Sequence, residues 1–375
     1  MSQMKSLRTR PGRTIAAVAA FSLAAATLAG CATNESGAGQ SDAPTVSGLS
    51  GTYAGAGASA QEAAQAAWIA AFQTADDQVT INYNPIGSGG GRKNFLEGAA
   101  VYAGSDSYMT DEELADGAPG ECAADATVMN LPVYISPIAV VFNVAGVDQL
   151  NLNALTLANI FNGTIKKWND PAIADLNEGT ELPASAITVV HRSDDSGSTK
   201  NFTDYLNKNV PDVWTEKPED KFPYTFAGAE GAQQSSGVVD AVTGGQGTIG
   251  YVDASKATAL HKASLQVGEE FVAPSAEAAA KVVDASPRVE GRPEGDLAIT
   301  LDRTTTESGV YPLVLVSYLV VCDHYADAKD GEFVKAYASY IVSPEGQAAA
   351  SEGAGSAPVS PETAAALKAA VEKIK

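Results

Sequence analysis

The sequence predicts an α/β fold divided between two domains, on three observations. Short runs rich in Val, Ile and aromatic residues alternate with segments whose apolar residues recur at helical spacing. Ser- and Gly-rich turns join one kind to the other. Setting aside an N-terminal leader of 30 leaves 345 of the 375 residues, enough for two domains. No internal repeat is visible.

Residues 1–30 read as a targeting segment. Lys5, Arg8, Arg10 and Arg13 precede an apolar run from Ile15 to Ala29 that is too short for a membrane span. The run ends in Leu28-Ala29-Gly30-Cys31, which resembles the bacterial lipobox. That resemblance implies cleavage before Cys31, a diacylglyceryl group with its palmitate-type chains on the thiol, and a chain anchored to the outer face of the cytoplasmic membrane. The polar stretch 31–50 reads as a flexible tether. The leader takes away four basic residues and no acidic one, so the net charge moves from −21 to −25. A chain this acidic lacks the basic footprint of a nucleic-acid binder.

Cys122 and Cys322 are the remaining cysteines. In an oxidising compartment they are predicted to form a disulfide, with two buried thiols or half of a metal site as the alternatives. His324 is the sole histidine at ligand spacing from either, a poor zinc set.

Strands are predicted over 79–86, 100–106, 134–144, 186–192, 247–253 and 311–323. The run 134–144 is apolar almost throughout, as a strand buried on both faces requires. Helices are predicted over 59–75, with Ala64, Trp68, Ala71 and Phe72 on one face, and over 198–208, with Phe202, Tyr205 and Leu206 on one face. Further helices fall near 88–97, at 155–163 with Gly163 ending it, at 275–287, and from Pro361 to the last residue behind a Ser360 cap. Residues 288–296 read as a loop.

Polar residues recur in one grammar. Three times a strand runs into a Ser/Gly turn that opens a helix: Gly55 to Glu62, Ile86 to Phe95, and Arg192 to Phe202. Ser59 with Glu62 has capping-box spacing, and Ser88 stands ahead of three glycines. Each turn presents free N–H groups and a hydroxyl at the positive end of a helix dipole, an anion site in outline. One such turn is more often a simple cap; three, with Arg192 beside the last, point to a shared small anion. Neither a P-loop nor a dinucleotide fingerprint is present. Asp106, ending "AGSD", is the odd member, since a carboxylate repels an anion unless the anion carries a proton. Phosphate does near neutral pH and sulfate does not, so Asp106 could separate the two.

These four motifs, with "FNGTIKKWNDPAI" at 161–173 and "GTIGYVD" at 247–253, resemble in order and separation the phosphate-binding proteins of bacterial high-affinity phosphate ABC transporters. The resemblance covers the chain from about Thr52 to its end. It implies a two-lobed periplasmic-binding-protein-like α/β fold closing over one phosphate ion. Lobe I is expected over 51–131 plus 304–375, and lobe II over 132–303. Phosphate would take the Ser59 hydroxyl, the Ala60 N–H, the hydroxyl and amide of Ser88, and donors from Ser196, Gly197 and Ser198. Asp106 would accept the phosphate proton, and Arg192 would be the single cationic contact, its fork held by Asp194. Asp195 stands where relatives commonly have Gly and is expected to point outward. The resemblance further implies a monomer delivering phosphate to membrane ABC permease subunits, with no catalysis, cofactor or metal. Two other readings remain: the same scaffold binding sulfate or molybdate, and a phosphoester hydrolase with Ser196 or Ser198 as nucleophile and His191 as base.

Overall fold

The structure, a computed structural model, describes residues 48–115 and 119–375. The leader, Cys31 and all but the last three tether residues lie outside the described residues.

The chain opens as β1 (Gly51–Gly57), α1 (Glu62–Ala75), β2 (Val79–Asn84), α2 (Ser88–Leu96) and β3 (Tyr102–Ser105). β1 lies between β2 and β3, parallel to both, the pairing that helical crossovers produce. After the short α3 (Asp111–Leu114) comes β4 (Val128–Asn143), a 16-residue strand buried along nearly all its length. The second set comprises β5 (Asn151–Leu152), α4 (Ala154–Phe161), α5 (Pro171–Ala174), β6 (Thr188–Arg192), α6 (Gly197–Asn209), β7 (Ala229–Ala232), α7 (Gln234–Gly244) and β8 (Thr248–Asp253). β9 (His261–Lys262), β10 (Ser264–Val267), β11 (Glu270–Val272) and α8 (Ala276–Ala285) follow. The chain returns through β12 (Val314–Cys322) to α9 (Ala328–Ile341), α10 (Pro344–Ala354) and α11 (Pro361–Val371).

One mixed sheet orders these strands β2-β1-β3-β12-β4-β8-β6-β7, with β9 against β4, and β11-β10-β5 make a small second sheet. The antiparallel pair β4–β12 is its centre. The first part of β4 pairs with β12 and the last part, Ile138 to Asn143, with β8, so one strand serves both halves of the molecule. Pro132 lies inside this central strand, where a missing N–H would break the ladder. The ladder shifts there: Ser317 faces Tyr134 and Tyr318 faces Pro132, so Val133 has no partner. A bulge absorbs the proline and turns the strand locally beside Ser317.

Helix α1 buries Ala64, Gln65, Trp68 and Phe72, and the Trp68 indole donates to the Gly346 carbonyl of α10 at 2.7 Å. The predicted face holds except at Ala71, which is exposed, and Gln65 joins the buried side. Phe202, Tyr205 and Leu206 of α6 are buried, with the Phe202 ring stacked 4.3 Å from that of Tyr251. Gly163 follows α4 at φ 80°, the left-handed conformation expected after a helix end. Ser360 caps α11 through Thr363 N–H, but the helix stops at Val371, short of the last residue. Gly91 permits the close packing of α2 on β1, since a Cβ there would collide with the Gly57 backbone. The glycine run thus serves packing as well as the turn.

Cys122 and Cys322 are joined, with Cα atoms 5.7 Å apart and 200 residues between them in sequence. The bond fastens the 119–127 loop to the end of β12. Among the described residues no cluster of three His, Cys, Asp or Glu could hold a metal, and no helix is long and apolar enough to cross a membrane. Because the bridge closes so long a loop, its reduction should lower the unfolding free energy by about 2–5 kcal/mol. Denaturant titration with and without reductant measures this, and coincident curves would refute it.

Candidate functional site

The Ser/Gly turns converge. Gly87, at φ 96°, turns the chain into α2, leaving Ser88 as its first residue. Ser196 is the N-cap of α6, its Oγ accepting Thr199 N–H at 3.3 Å. Ser59 lies on the β1–α1 turn with Ala60, both buried. Asp106 follows the end of β3 and is 3 % exposed. Gly197 sits against Ser88 and Asp106, where a Cβ would stand 2.7 Å from Asp106 Cβ. Gly89 N–H donates to the Asp195 carbonyl at 3.2 Å, joining the two turns through backbone. Groups from the β1–β3 side and the β6–β8 side therefore meet in one buried spot.

Three of the serines share an arrangement. Ser88 Oγ accepts Asp106 N–H at 3.1 Å, Ser196 Oγ accepts Thr199 N–H, and Ser59 Oγ accepts Ser235 N–H at 3.1 Å. Each oxygen is held by a backbone donor, so the hydrogens of Ser88 and Ser196 are left to give elsewhere, while the Ser59 and Ser235 hydroxyls share a hydrogen bond at 3.0 Å. Ala60 N–H meets no backbone acceptor among the described residues. The first N–H groups of α2 and α6 have no acceptor inside their own helices. Such a cluster can surround a small anion with neutral donors.

Arg192 lies beside it, 3 % exposed; its Nε donates to Asp194 Oδ1 at 2.7 Å and its Nη2 pairs with Asp194 Oδ2. Burial pushes Asp194 up, but the Arg192 hydrogen bond and charge outweigh it and hold the carboxyl below its ordinary range. The fork is thus fixed on one edge, with the remaining N–H groups pointing away. Asp195 is exposed and its carboxylate lies 3.7 Å from Lys221 Nζ, turned outward as the sequence led us to expect.

Asp106 carries opposing influences. Burial raises its carboxyl to about 6, aided by Asp253, while hydrogen bonds from Ser317 and Ser198 and the charge of Arg192 pull it down. Ser198 Oγ donates to Oδ2 at 3.1 Å and Ser317 Oγ to Oδ1 at 2.8 Å. Asn201 Nδ2 donates to the Asp106 carbonyl at 2.6 Å.

Three features escaped the sequence reading. Ser59 is no helix cap: the N-cap of α1 is Gln61, and the Ser59 hydroxyl is engaged by Ser235, 3.0 Å away at the start of α7. Ser235 follows the same strand-turn-helix grammar in "AEGAQQSSG", but β7 has too few apolar residues to reveal itself. Ser317 reaches the site only through the pairing of β12 with β3 and β4, and Gln61, though inside the first turn, acts through Ser317. Arg92 also bridges the halves, its Nε on Glu113 at 2.7 Å and its Nη2 on Asp220 at 2.5 Å. A cavity of about 310 Å³ borders Asp106 and Asn201 but is not lined by Ser59, Ser88, Arg192 or Ser196, all four of which are buried. His191 stacks 4.3 Å from Phe222 and its Nδ1 meets the Arg192 carbonyl, while Ser196 and Ser198 have the partners given above.

A family model described as PBP superfamily domain matches residues 41–345. The chain is 35 % identical to "Phosphate-binding protein PstS 3" of Mycobacterium leprae over 83 % of its own length and 86 % of that protein. It is 34 % identical to "Phosphate-binding protein PstS2" of Mycobacterium bovis over 97 % of its length and 99 % of that protein. A high-affinity periplasmic phosphate-binding protein solved with phosphate superposes with TM-score 0.69 at 22 % identity, covering 85 % of this chain and 93 % of that one, a likeness of fold. Matched along most of its length by the family model and by these relatives, the chain belongs to the PBP superfamily of two-lobed α/β binding proteins.

Proposed function

We propose that the protein binds one inorganic phosphate ion between its lobes and delivers it to a membrane ABC permease. The observation that carries this reading is the ring of anchored serine hydroxyls and helix N-termini around a buried carboxylate. Lobe I is 51–131 plus 304–375 and lobe II is 132–303, with β4 and the approach to β12 as the crossings. Ser59, Ala60 and Ser88 donate from lobe I; Arg192, Ser196, Gly197 and Ser198 donate from lobe II; Asp194 holds Arg192 in place.

Asp106 accepts the P–OH hydrogen on its Oδ2 side, where Ser198 now donates. A sulfate ion offers no hydrogen and meets a bare negative charge, which disfavours it. Each hydrogen bond to the ion contributes about 1.5–3 kcal/mol, and micromolar affinity needs about 8 kcal/mol, so a handful of the donors suffices. On this reading the protein acts by binding without turnover, a reading supported by the Ser198 hydroxyl being given to Asp106 and the His191 ring being stacked on Phe222. It works as a monomer at the outer face of the membrane, held by a lipid on Cys31 after removal of residues 1–30, and the set of donors calls for no cofactor or metal.

Asp106→Asn should lower the phosphate-over-sulfate preference by about 10- to 100-fold, the worth of one misdirected buried hydrogen bond; calorimetry with both anions reads it, and an unchanged ratio would sink the role. Arg192→Lys should weaken phosphate binding by about 10- to 100-fold, since the planar fork is lost while the charge stays. With the Asp106 carboxyl raised to about 6, it is an ionised acceptor above that pH and a neutral acid below. Selectivity against sulfate should therefore be full at pH 7.5 and fade as pH falls through about 6; a preference flat from pH 5 to 8 would contradict this.

A further inference from the structure

Behind Asp106 runs a chain of buried amides and hydroxyls that the binding site itself does not require. Tyr102 and Tyr337 hydroxyls lie 3.1 and 2.9 Å from Gln65 Oε1. Gln65 Nε2 donates to Gln61 Oε1 at 2.8 Å, Gln61 Nε2 to Ser317 Oγ at 3.1 Å, and Ser317 Oγ to Asp106 Oδ1 at 2.8 Å. Gln61, Gln65 and Ser317 have no solvent exposure.

The direction of this chain is determined at Gln61. Its Nε2 also lies 3.5 Å from the Tyr318 carbonyl oxygen, an atom that can only accept. Turning the amide over would set Gln61 Oε1 against that carbonyl, two acceptors facing each other, and would strip Gln65 Nε2 of its acceptor. Gln61 therefore gives a hydrogen to Ser317 Oγ, and the single Ser317 hydrogen is left to point at Asp106 Oδ1. A proton on Oδ1 would place two hydrogens between the same two oxygens. The chain thus stabilises the ionised form of Asp106.

Building on the phosphate-binding reading, we propose that Gln61 and Ser317 are positioning residues that hold Asp106 as a hydrogen-bond acceptor and thereby set the oxyanion selectivity of the site. The bulge at Pro132 and Val133 lies opposite Ser317 on β12. The charges of Arg192 on β6 and Asp253 on β8 also act on Asp106, Arg192 favouring its ionised form and Asp253 opposing it, while burial keeps Tyr83 of β2 neutral. Ser198 donates to the oxygen that the ligand would share, so Ser317 is the donor that stays when phosphate takes the Oδ2 side.

The test is calorimetric titration of the purified protein with inorganic phosphate and with sodium sulfate from pH 5 to 8.5, in wild type, Ser317→Ala, Gln61→Met and Ser317→Thr. Losing one hydrogen bond to a carboxylate raises its pKa by about one unit. In Ser317→Ala the pH at which phosphate preference collapses should move up by about one unit, to near neutrality, where preference falls to about half that of wild type; Gln61→Met, which frees the Ser317 hydroxyl to turn, should move it the same way by less. Ser317→Thr, which keeps the hydroxyl, should restore the wild-type profile. Variants that bind phosphate with an unmoved profile would overturn the proposal. Carbon-13 NMR of the Asp106 carboxyl gives a reading independent of ligand. It should titrate near 6 in wild type and about one unit higher in Ser317→Ala; a wild-type carboxyl neutral at pH 7.5, or a midpoint unchanged by the substitution, would also overturn it. Should wild type bind no phosphate at all, the functional reading fails and the NMR midpoints alone decide the proposal.

Discussion

A carboxylate sealed from water is the constraint around which this molecule is arranged. Leaving a buried charge without hydrogen bonds is expensive enough that the group would neutralise instead. Asp106 avoids this by drawing donors from separate parts of the chain: Ser317 from β12 on one oxygen, Ser198 from α6 on the other, and Asn201 on its carbonyl. Meeting those demands pulls the start of α6 against β3. The same approach brings Gly197 onto Ser88 and seats Arg192 beside the cluster. A requirement of one side chain thereby fixes how two halves of the protein touch.

The acidity of the chain is compatible with anion binding because the site relies on dipoles. Its buried arginines are already committed: Arg192 to Asp194, Arg92 to Glu113 and Asp220, and Arg303 to Asp204 at 2.7 Å. What remains for a ligand is the hydrogen of a serine whose oxygen is pinned and the N–H groups of helix ends. Surface charge matters less, since salt screens it beyond about 8–10 Å. On the proposed reading, neutral donors held rigidly also give selectivity, as a guest of different protonation leaves one of them misdirected.

Much of this was legible in the sequence, for local reasons. A Ser/Gly turn between a strand and a helix is written in consecutive residues, so the turns at Ser59, Ser88 and Ser196 could be read, as could the strand 134–144. The reading failed where partners are distant or side chains are small. β1, "GTYAGAG", and β7, "AEGA", have little β-branched content and declare themselves only by pairing. The capping role given to Ser59 was wrong because α7, remote in sequence, claims its hydroxyl. Ala71 was placed inward by spacing, yet alanine has too little surface to compel burial. Ser317 sits in an uninterrupted apolar strand where nothing nearby hints that its hydroxyl meets an acid.

The centre of the sheet carries a consequence for how such a chain is made. β3 finds one neighbour in β1 nearby, but its other neighbour is β12, where Ser105 meets Tyr318, and the first part of β4 must wait for the same strand. Long-range pairings of this kind form late and slowly. During synthesis the first half emerges with its most apolar strand lacking a mate, so a lingering, unclosed polypeptide precedes the native one. Such a chain keeps its central apolar strand open to wrong partners until its last quarter arrives.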